Sequence, residues 1–278
     1  MSVRPSEVLR RGTAYLERHG VESPHRTAEI LLADVLGTDR AGLYARSAGL
    51  DAREARMFGR ALCQRSAGTP LQHLTGEQTF RHLQIEVRPG VFVPRPETEV
   101  VVGLALRELR GMEAPLVVDV GTGTGAIALA LKDERPDATV LATDLSAEAV
   151  ELTAANALRL GLDVSVMQGD LLGAVPAGLR GWVDLVVSNP PYVTPEEYVD
   201  LPAEVRADPA LALLGGPSLY ERLASQAARW LRDGGVLVVE IGAGQGAGVI
   251  ETLRGSFADV RVEQDLAGRD RVVLGRRP

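Results

Sequence analysis

The stretch VVDVGTGTGAIALALK, Val117 to Lys132, places Gly121, Gly123 and Gly125 between a run of β-branched residues and a run rich in alanine and leucine. This order predicts a buried strand, a glycine turn and a helix. Glycine lets the backbone turn sharply and lets a ligand approach closely, while the first helical turn offers unpaired N–H donors. Gly121-x-Gly123-x-x-Ala126 also satisfies the relaxed dinucleotide fingerprint. Asp144 closes the next β-like run about 23 residues further on, where an acid holds ribose hydroxyls in either cofactor class.

Outward from this loop the pattern alternates. LVVDV, TVLATD, WVDLVVS and GGVLVVEIG read as strands, and AIALALK, AEAVELTAANALRL and LYERLASQAARWL as helices. The alternation predicts a parallel sheet with helices on both faces. The end differs: DVRVEQ, DLAGRD and RVVLGRR read as a terminal antiparallel hairpin. That ending suits the methyltransferase variant of the doubly wound Rossmann-like α/β fold better than a dehydrogenase. Two acids favour S-adenosyl-L-methionine over NAD. Asp119 sits just before the glycines, beside the methionine part of such a cofactor. Asp170 ends a further predicted strand, within reach of an adenine amino group, with Leu171 packing alongside.

A second stretch, VVSNPPYVTP from Val186 to Pro195, carries the chemistry. Asn189 falls at the C-terminal end of a predicted strand, the edge where open α/β sheets bind ligands. Its amide oxygen and the carbonyl of Pro190 are two acceptors, and Pro190 and Pro191 restrict the backbone and remove competing donors. Such a pair suits an –NH₂ group whose nitrogen must face an electrophile, and Tyr192 offers a ring to stack on a flat amide or base. Amide and ring nitrogens are poor nucleophiles, so catalysis by orientation and electrostatics is expected. No strong general base is required, in keeping with the lack of a Ser-His-Asp or Cys-His set.

The rest of the chain bounds the reading. At 278 residues it is long enough for two domains. Residues 1–70 hold 11 arginines against 8 acids, a balance of +3, and the remainder holds 19 basic residues against 29 acids, a balance of −10. An acidic main segment argues against general nucleic-acid or membrane binding. A single cysteine, Cys63, and the lack of an apolar run of signal or membrane-spanning length make the cytoplasm the expected compartment. No metal site is expected, because His19, His25, His73 and His82 have no ligand-like spacing with Cys63 or with acids. Residues 1–68 read as a helical bundle suited to partner docking. It has a helix around Ser6–Arg18, a second begun by Ser23 as N-cap before Pro24, and a capping box at Asp51 and Glu54. Residues 69–96 read as a β-hairpin linker, with Leu83, Ile85 and Val87 on one strand, Arg88-Pro89-Gly90 as the turn and Val91-Phe92-Val93 on the other. Residues 97–278 form the expected cofactor domain. Trp182 and Trp230 are expected to pack in the core.

The set GTGTG, ATD and NPPY resembles the class I S-adenosylmethionine-dependent methyltransferases that act on planar –NH₂ groups. With the helical segment and QHLTGEQTFRHLQIEVRPGVFVPRPETE before it, nearly the whole chain resembles the HemK/PrmC family, which methylates the glutamine of the Gly-Gly-Gln motif in class-1 peptide chain release factors. The resemblance implies that Gly121, Thr122, Gly123, Thr124, Gly125, Asp144, Leu171 and Asn189 contact the cofactor. It implies that Asn189, Pro190, Pro191 and Tyr192 hold the glutamine and that the helical segment docks the release factor. Pro94 to Glu99 match the family's stretch near the active site, with Arg95 structural rather than catalytic. The chain departs from the pattern at Pro217-Ser218, where Asp-Gly is usual, and at Leu171, where an aromatic often stands. Alternative readings are a ribosomal-protein glutamine methyltransferase, a nucleic-acid amino-methyltransferase, an NAD-dependent oxidoreductase and a non-catalytic binding protein.

Overall fold

The computed structural model describes residues 3–278. The chain divides into two compact units: residues up to Glu77 together with Pro202–Ala207, and Gln78–Leu201 together with Asp208–Pro278.

The first unit holds helices α1 (Pro5–Arg18), α2 (Pro24–Val35), α3 (Arg40–Ala45), α4 (Ala52–Ser66) and α5 (Leu71–Thr75). Leu9 and Leu16 of α1, Leu31 and Leu32 of α2, Leu43 of α3, and Phe58 and Leu62 of α4 bury one apolar cluster. Gly12 lets α1 close on α4, since a Cβ there would stand 2.7 Å from the Phe58 ring. The capping box forms as expected: Asp51 accepts from the N–H groups of Arg53 and Glu54, and Glu54 accepts from that of Asp51. Ser23 departs from expectation. It precedes α2 but lies in the left-handed region at φ 47°, and its hydroxyl caps nothing. An N-cap side chain reaches the helical N–H groups from extended backbone, which Ser23 does not adopt.

The hairpin exists, one strand earlier than expected. β1 (Glu77–Phe80) and β2 (Leu83–Glu86) form a two-stranded sheet joined at Arg81-His82, with Arg81 at φ 51°. Val91-Phe92-Val93 is not a strand, because its donors go elsewhere. The Val91 N–H bonds back to Arg88 across the Pro89-Gly90 turn, and that of Val93 is taken by the Asp208 carboxylate. Phe80, Leu83 and Ile85 are buried in the main core of the second unit.

A short 3-10 turn (Pro96–Thr98) opens α6 (Glu99–Glu108). The alternation then follows: β3 (Leu116–Val120), α7 (Ala126–Glu134), β4 (Thr139–Asp144), α8 (Ala147–Leu160), β5 (Val164–Gln168) and β6 (Val183–Ser188). After two short helices, α9 (Pro195–Asp200) and α10 (Ala210–Leu213), come α11 (Pro217–Trp230), β7 (Leu231–Glu240), α12 (Gly246–Arg254), β8 (Ala258–Gln264) and β9 (Asp270–Arg276). The seven-stranded sheet has the order β5-β4-β3-β6-β7-β9-β8, parallel except for β9, which is antiparallel to β7 and β8.

Strands β3, β6 and β7 are apolar on both faces because both faces are covered. One face packs on α6, α7 and the hairpin, and the other on α11 and α12. Trp230 is part of the second cluster, whereas Trp182 is 70% exposed on a turn and packs in neither. The sheet order reverses at β3, which lies between β4 and β6, and ligands of such sheets bind beyond the carboxyl ends at that point. Val120 pairs with Thr143 and Ser188, and Ser188 pairs with Val239. One residue further along, Gly121, Asp144, Asn189 and Glu240 share that edge.

Candidate active site

The glycine loop is tied to the neighbouring strand by its own backbone. The N–H groups of Gly121 and Thr122 both donate to the Thr143 carbonyl, at 2.8 and 3.0 Å. Gly121, Gly123 and Gly125 all adopt positive φ. A Cβ on Gly121 or Gly123 would project into open space, whereas one on Gly125 would stand 2.9 Å from Leu129 and Thr153. The first two therefore leave room for a ligand and the third lets α7 and α8 pack. Asp144 accepts from the Gly123 N–H and from that of Ser146, each at 2.9 Å. Burial raises its pKa, and those two donors oppose the rise.

Asp119 is fully buried. One carboxylate oxygen accepts from the Thr122 hydroxyl at 2.7 Å and from the Ala128 N–H at 3.2 Å, and the other has no partner. Desolvation pushes its pKa up to about 7. Asp170 is exposed and ion-paired with Arg222 on α11, and Leu171 adopts φ 51° while its carbonyl takes the Thr143 hydroxyl. Thr124 is buried and its carbonyl accepts from Asn156, so it serves the loop's shape.

On the other side of β3 stands Asn189. Its side-chain nitrogen donates to the Thr98 hydroxyl oxygen at 3.1 Å. Among the described residues none donates to its amide oxygen or to the Pro190 carbonyl. The loop is braced from behind. Val193 N–H donates to the Leu213 carbonyl and Gly215 N–H to that of Val193, and a Cβ on Gly215 would overlap the Pro191 carbonyl oxygen. The Tyr192 carbonyl accepts from Gln245 at 2.9 Å, whose own oxygen takes Gly242 N–H and the Tyr220 hydroxyl. The Tyr192 ring packs on the α11 side of the core, and burial pushes its hydroxyl pKa up to about 12. Arg95 pairs with the buried Asp208 and stacks 5.1 Å over Phe92, which makes it structural.

The glycine loop, the acid Asp144 and the Asn-Pro-Pro-Tyr loop thus converge at one sheet edge. Residues 7–76 match the model of the PrmC N-terminal domain, and residues 82–205 that of the methyltransferase small domain. A release factor glutamine methyltransferase of Deinococcus radiodurans is 43% identical over 98% of both chains. One of Moorella thermoacetica is 44% identical over 93% of both. The chain belongs to the release factor glutamine methyltransferase family. Among solved structures, the T. thermophilus 16S rRNA N2 G1207 methyltransferase, in complex with AdoMet and guanosine, has a TM-score of 0.54 at 19% identity. The match covers 73% of this chain and 50% of that one, a likeness of fold.

Within this release factor glutamine methyltransferase fold, the residues that brace the two loops from a distance leave no contiguous motif in the sequence. Asn156 is fully buried and bonds the backbone of Glu86 in both directions as well as the Thr124 carbonyl, which fastens the hairpin to the glycine loop. Gly215, Glu240 and Gln245 carry no motif of their own, and Thr98 is marked only by its place within the Pro94 to Glu99 stretch.

Proposed function

We propose that this chain transfers a methyl group from S-adenosyl-L-methionine to the side-chain nitrogen of the glutamine in the Gly-Gly-Gln motif of class-1 peptide chain release factors. The reading is carried by the two free acceptors, Asn189 Oδ1 and the Pro190 carbonyl, held at the sheet edge beside the glycine loop.

The site fits the cofactor. Gly121 and Gly123 leave an open cradle, Asp119 presents a buried oxygen without a partner, and each Asp144 oxygen keeps a lone pair for a ribose hydroxyl. Bound there, the cofactor supplies an electrophilic methyl group on a sulfonium. Gly121, Thr122 and Gly123 line its methionine and ribose parts. Asp170 and Leu171 are placed at the adenine end, where Asp170 must share its carboxylate with Arg222.

The chain's own work is orientation. Asn189 and Pro190 each accept a hydrogen bond from one N–H of the glutamine –NH₂ and aim its nitrogen at the cradle, and on gaining the methyl group that nitrogen turns acidic and releases one proton to solvent. Pro191 keeps the loop from relaxing, and the Tyr192 ring covers the flat amide. A planar amide nitrogen has its lone pair spread into the carbonyl, so gripping both hydrogens favours the pyramidal shape of the transition state. The helical unit docks the release factor. Support comes from the +3 balance of residues 1–70 and from a groove of about 780 Å³ between α1 and α4, lined by Tyr15, Phe58, Leu62, Arg11 and Arg18. A cytoplasmic site of action accords with this partner, and no described helix is long and apolar enough to cross a membrane.

Asn189→Ala tests the grip. Turnover should fall at least ~10²-fold while cofactor affinity by calorimetry stays within a few-fold, because the lost interaction belongs to the transition state. Near-parental turnover would remove Asn189 from the mechanism.

A further inference from the structure

An asparagine amide can face its site either way round, and only one orientation presents the oxygen. In this fold the choice is dictated from behind. Asn189 Nδ2 lies 3.1 Å from Thr98 Oγ1, and Thr98 is 3% exposed, so no water competes for that hydroxyl. β6 and β7 run parallel in register, Ser188 opposite Val239, which sets Glu240 at the same height as Asn189 on the next strand. Glu240 is 1% exposed and its Oε2 has no partner. Its other interactions are with the Thr98 hydroxyl and with the nearby charges of Arg271 and Glu97. Arg271 is itself paired with Asp265 at 3.2 Å, so Glu240 has no dedicated counter-ion.

A buried carboxylate without a counter-ion is costly and calls for an explanation. An ionised carboxylate only accepts hydrogen bonds, so the Thr98 hydroxyl must donate to Glu240. With its hydrogen spent, Thr98 Oγ1 can only accept from its other neighbour. That neighbour must then present N–H, and the Asn189 oxygen is turned outward. We propose that Thr98 and Glu240 are positioning residues that set the polarity of the Asn189 amide, so that its oxygen rather than its –NH₂ meets the acceptor glutamine. This rests on the methyl-transfer reading above and assigns it two residues that touch neither substrate nor cofactor.

Protonated Glu240 could donate to Thr98 instead, freeing the hydroxyl to donate onward and releasing Asn189 to turn. Burial pushes the Glu240 pKa up to about 7, with Thr98 and Arg271 opposing the rise and Glu97 adding to it. Tyr192 and Tyr220, the other titratable groups near it, have pKa values raised far above this range and stay neutral. Turnover therefore requires ionised Glu240 and rises with pH through about 7.

The test is single-turnover methylation of an unmethylated release factor by the full chain at saturating S-adenosylmethionine, from pH 6 to 9. Thr98→Val keeps the shape, removes the hydroxyl and should slow transfer roughly 10–100-fold, the scale of a misplaced reacting group. Cofactor affinity and release-factor KM should move less than about threefold, which a general loss of structure would not allow. Thr98→Ser restores the hydroxyl and should recover most of the rate. The parental acid limb near pH 7 should disappear in Glu240→Gln, leaving a slow, flat profile. Parental rates for Thr98→Val with Asn189→Ala inactive would overturn the relay and keep the grip. Parental rates for both would overturn the Asn189 grip on which the relay rests, and the absence of methylation by the parental chain would overturn the methyl-transfer reading itself. Should Thr98→Val melt below the assay temperature, an unchanged acid limb in Glu240→Gln would by itself reject the relay.

Discussion

Asp144 is engaged before any ligand reaches it. One of its oxygens holds the Gly123 N–H and the other that of Ser146, so the acid that would bind a ribose also shapes the loop that would bind the methionine part. Removing it should do two things at once. Asp144→Ala should weaken S-adenosylmethionine roughly 10–100-fold by calorimetry, the value of charge-assisted hydrogen bonds lost to a neutral side chain. Unchanged affinity would mean that the ribose lies elsewhere. The two loops were legible because their chemistry is local: Gly121 to Gly125 and Asn189 to Tyr192 are each contiguous. Asn189's partner was not legible, since Thr98 lies 91 positions away and only the sheet brings them together. Asp170 shows the opposite limit. Its position was readable, but its ion pair with Arg222 was not.

At the scale of elements, the Asn-Pro-Pro-Tyr loop holds its shape through what packs behind it. The segment Leu213 to Gly215 exchanges backbone hydrogen bonds with Val193, and Gly215 lies so close to the Pro191 carbonyl that a side chain has no room. Gly215→Ala should therefore displace the loop, lower stability by about 1–3 kcal/mol and reduce turnover, while cofactor affinity, which rests chiefly on the glycine loop and Asp144, changes only a few-fold. Gly216→Ala is the control, since its extended backbone and open surroundings accept a methyl group. Equal behaviour of the two variants in thermal melts and turnover would reject the bracing role. Strand and helix order was readable from apolar periodicity, and the terminal hairpin from its two β-branched runs. The earlier hairpin was misplaced because Pro89-Gly90 is a strong turn signal. What decided it was burial of Phe80 and the claim of Asp208 on the Val93 N–H, a contact across 115 residues.

At the scale of the molecule, two buried acids link stability to pH. Glu240 and Asp119 have folded-state pKa values near 7, above their ordinary values of 4.5 and 3.8. Between those limits the folded state binds more protons than the unfolded one, so stability falls as pH rises from about 4 to about 7. The Glu240 contribution alone is on the order of 3 kcal/mol. Glu7 and Asp137, held down to about 2 by neighbouring arginines, act in the opposite sense, but their stabilisation is complete above about pH 5. The cofactor-free chain should thus melt at a higher temperature at pH 5 than at pH 8, and Glu240→Gln should flatten that difference and raise the pH 8 midpoint. A parental decline in Glu240→Gln would show that Glu240 is not the titrating group. Such a cost at a site is what function commonly demands, and here it accompanies the orientation of Asn189. That Pro202–Ala207 group with the helical unit was not legible in the sequence, because six residues carry no pattern of their own. The central claim is methyl transfer to one glutamine, and intact mass tests it most directly. The chain, S-adenosylmethionine and an unmethylated release factor should yield one added methyl group, mapped by peptide fragmentation to the Gly-Gly-Gln glutamine and absent with Asn189→Ala. No mass change from protein shown to bind the cofactor, or a methyl group mapped to any other residue, would contradict it.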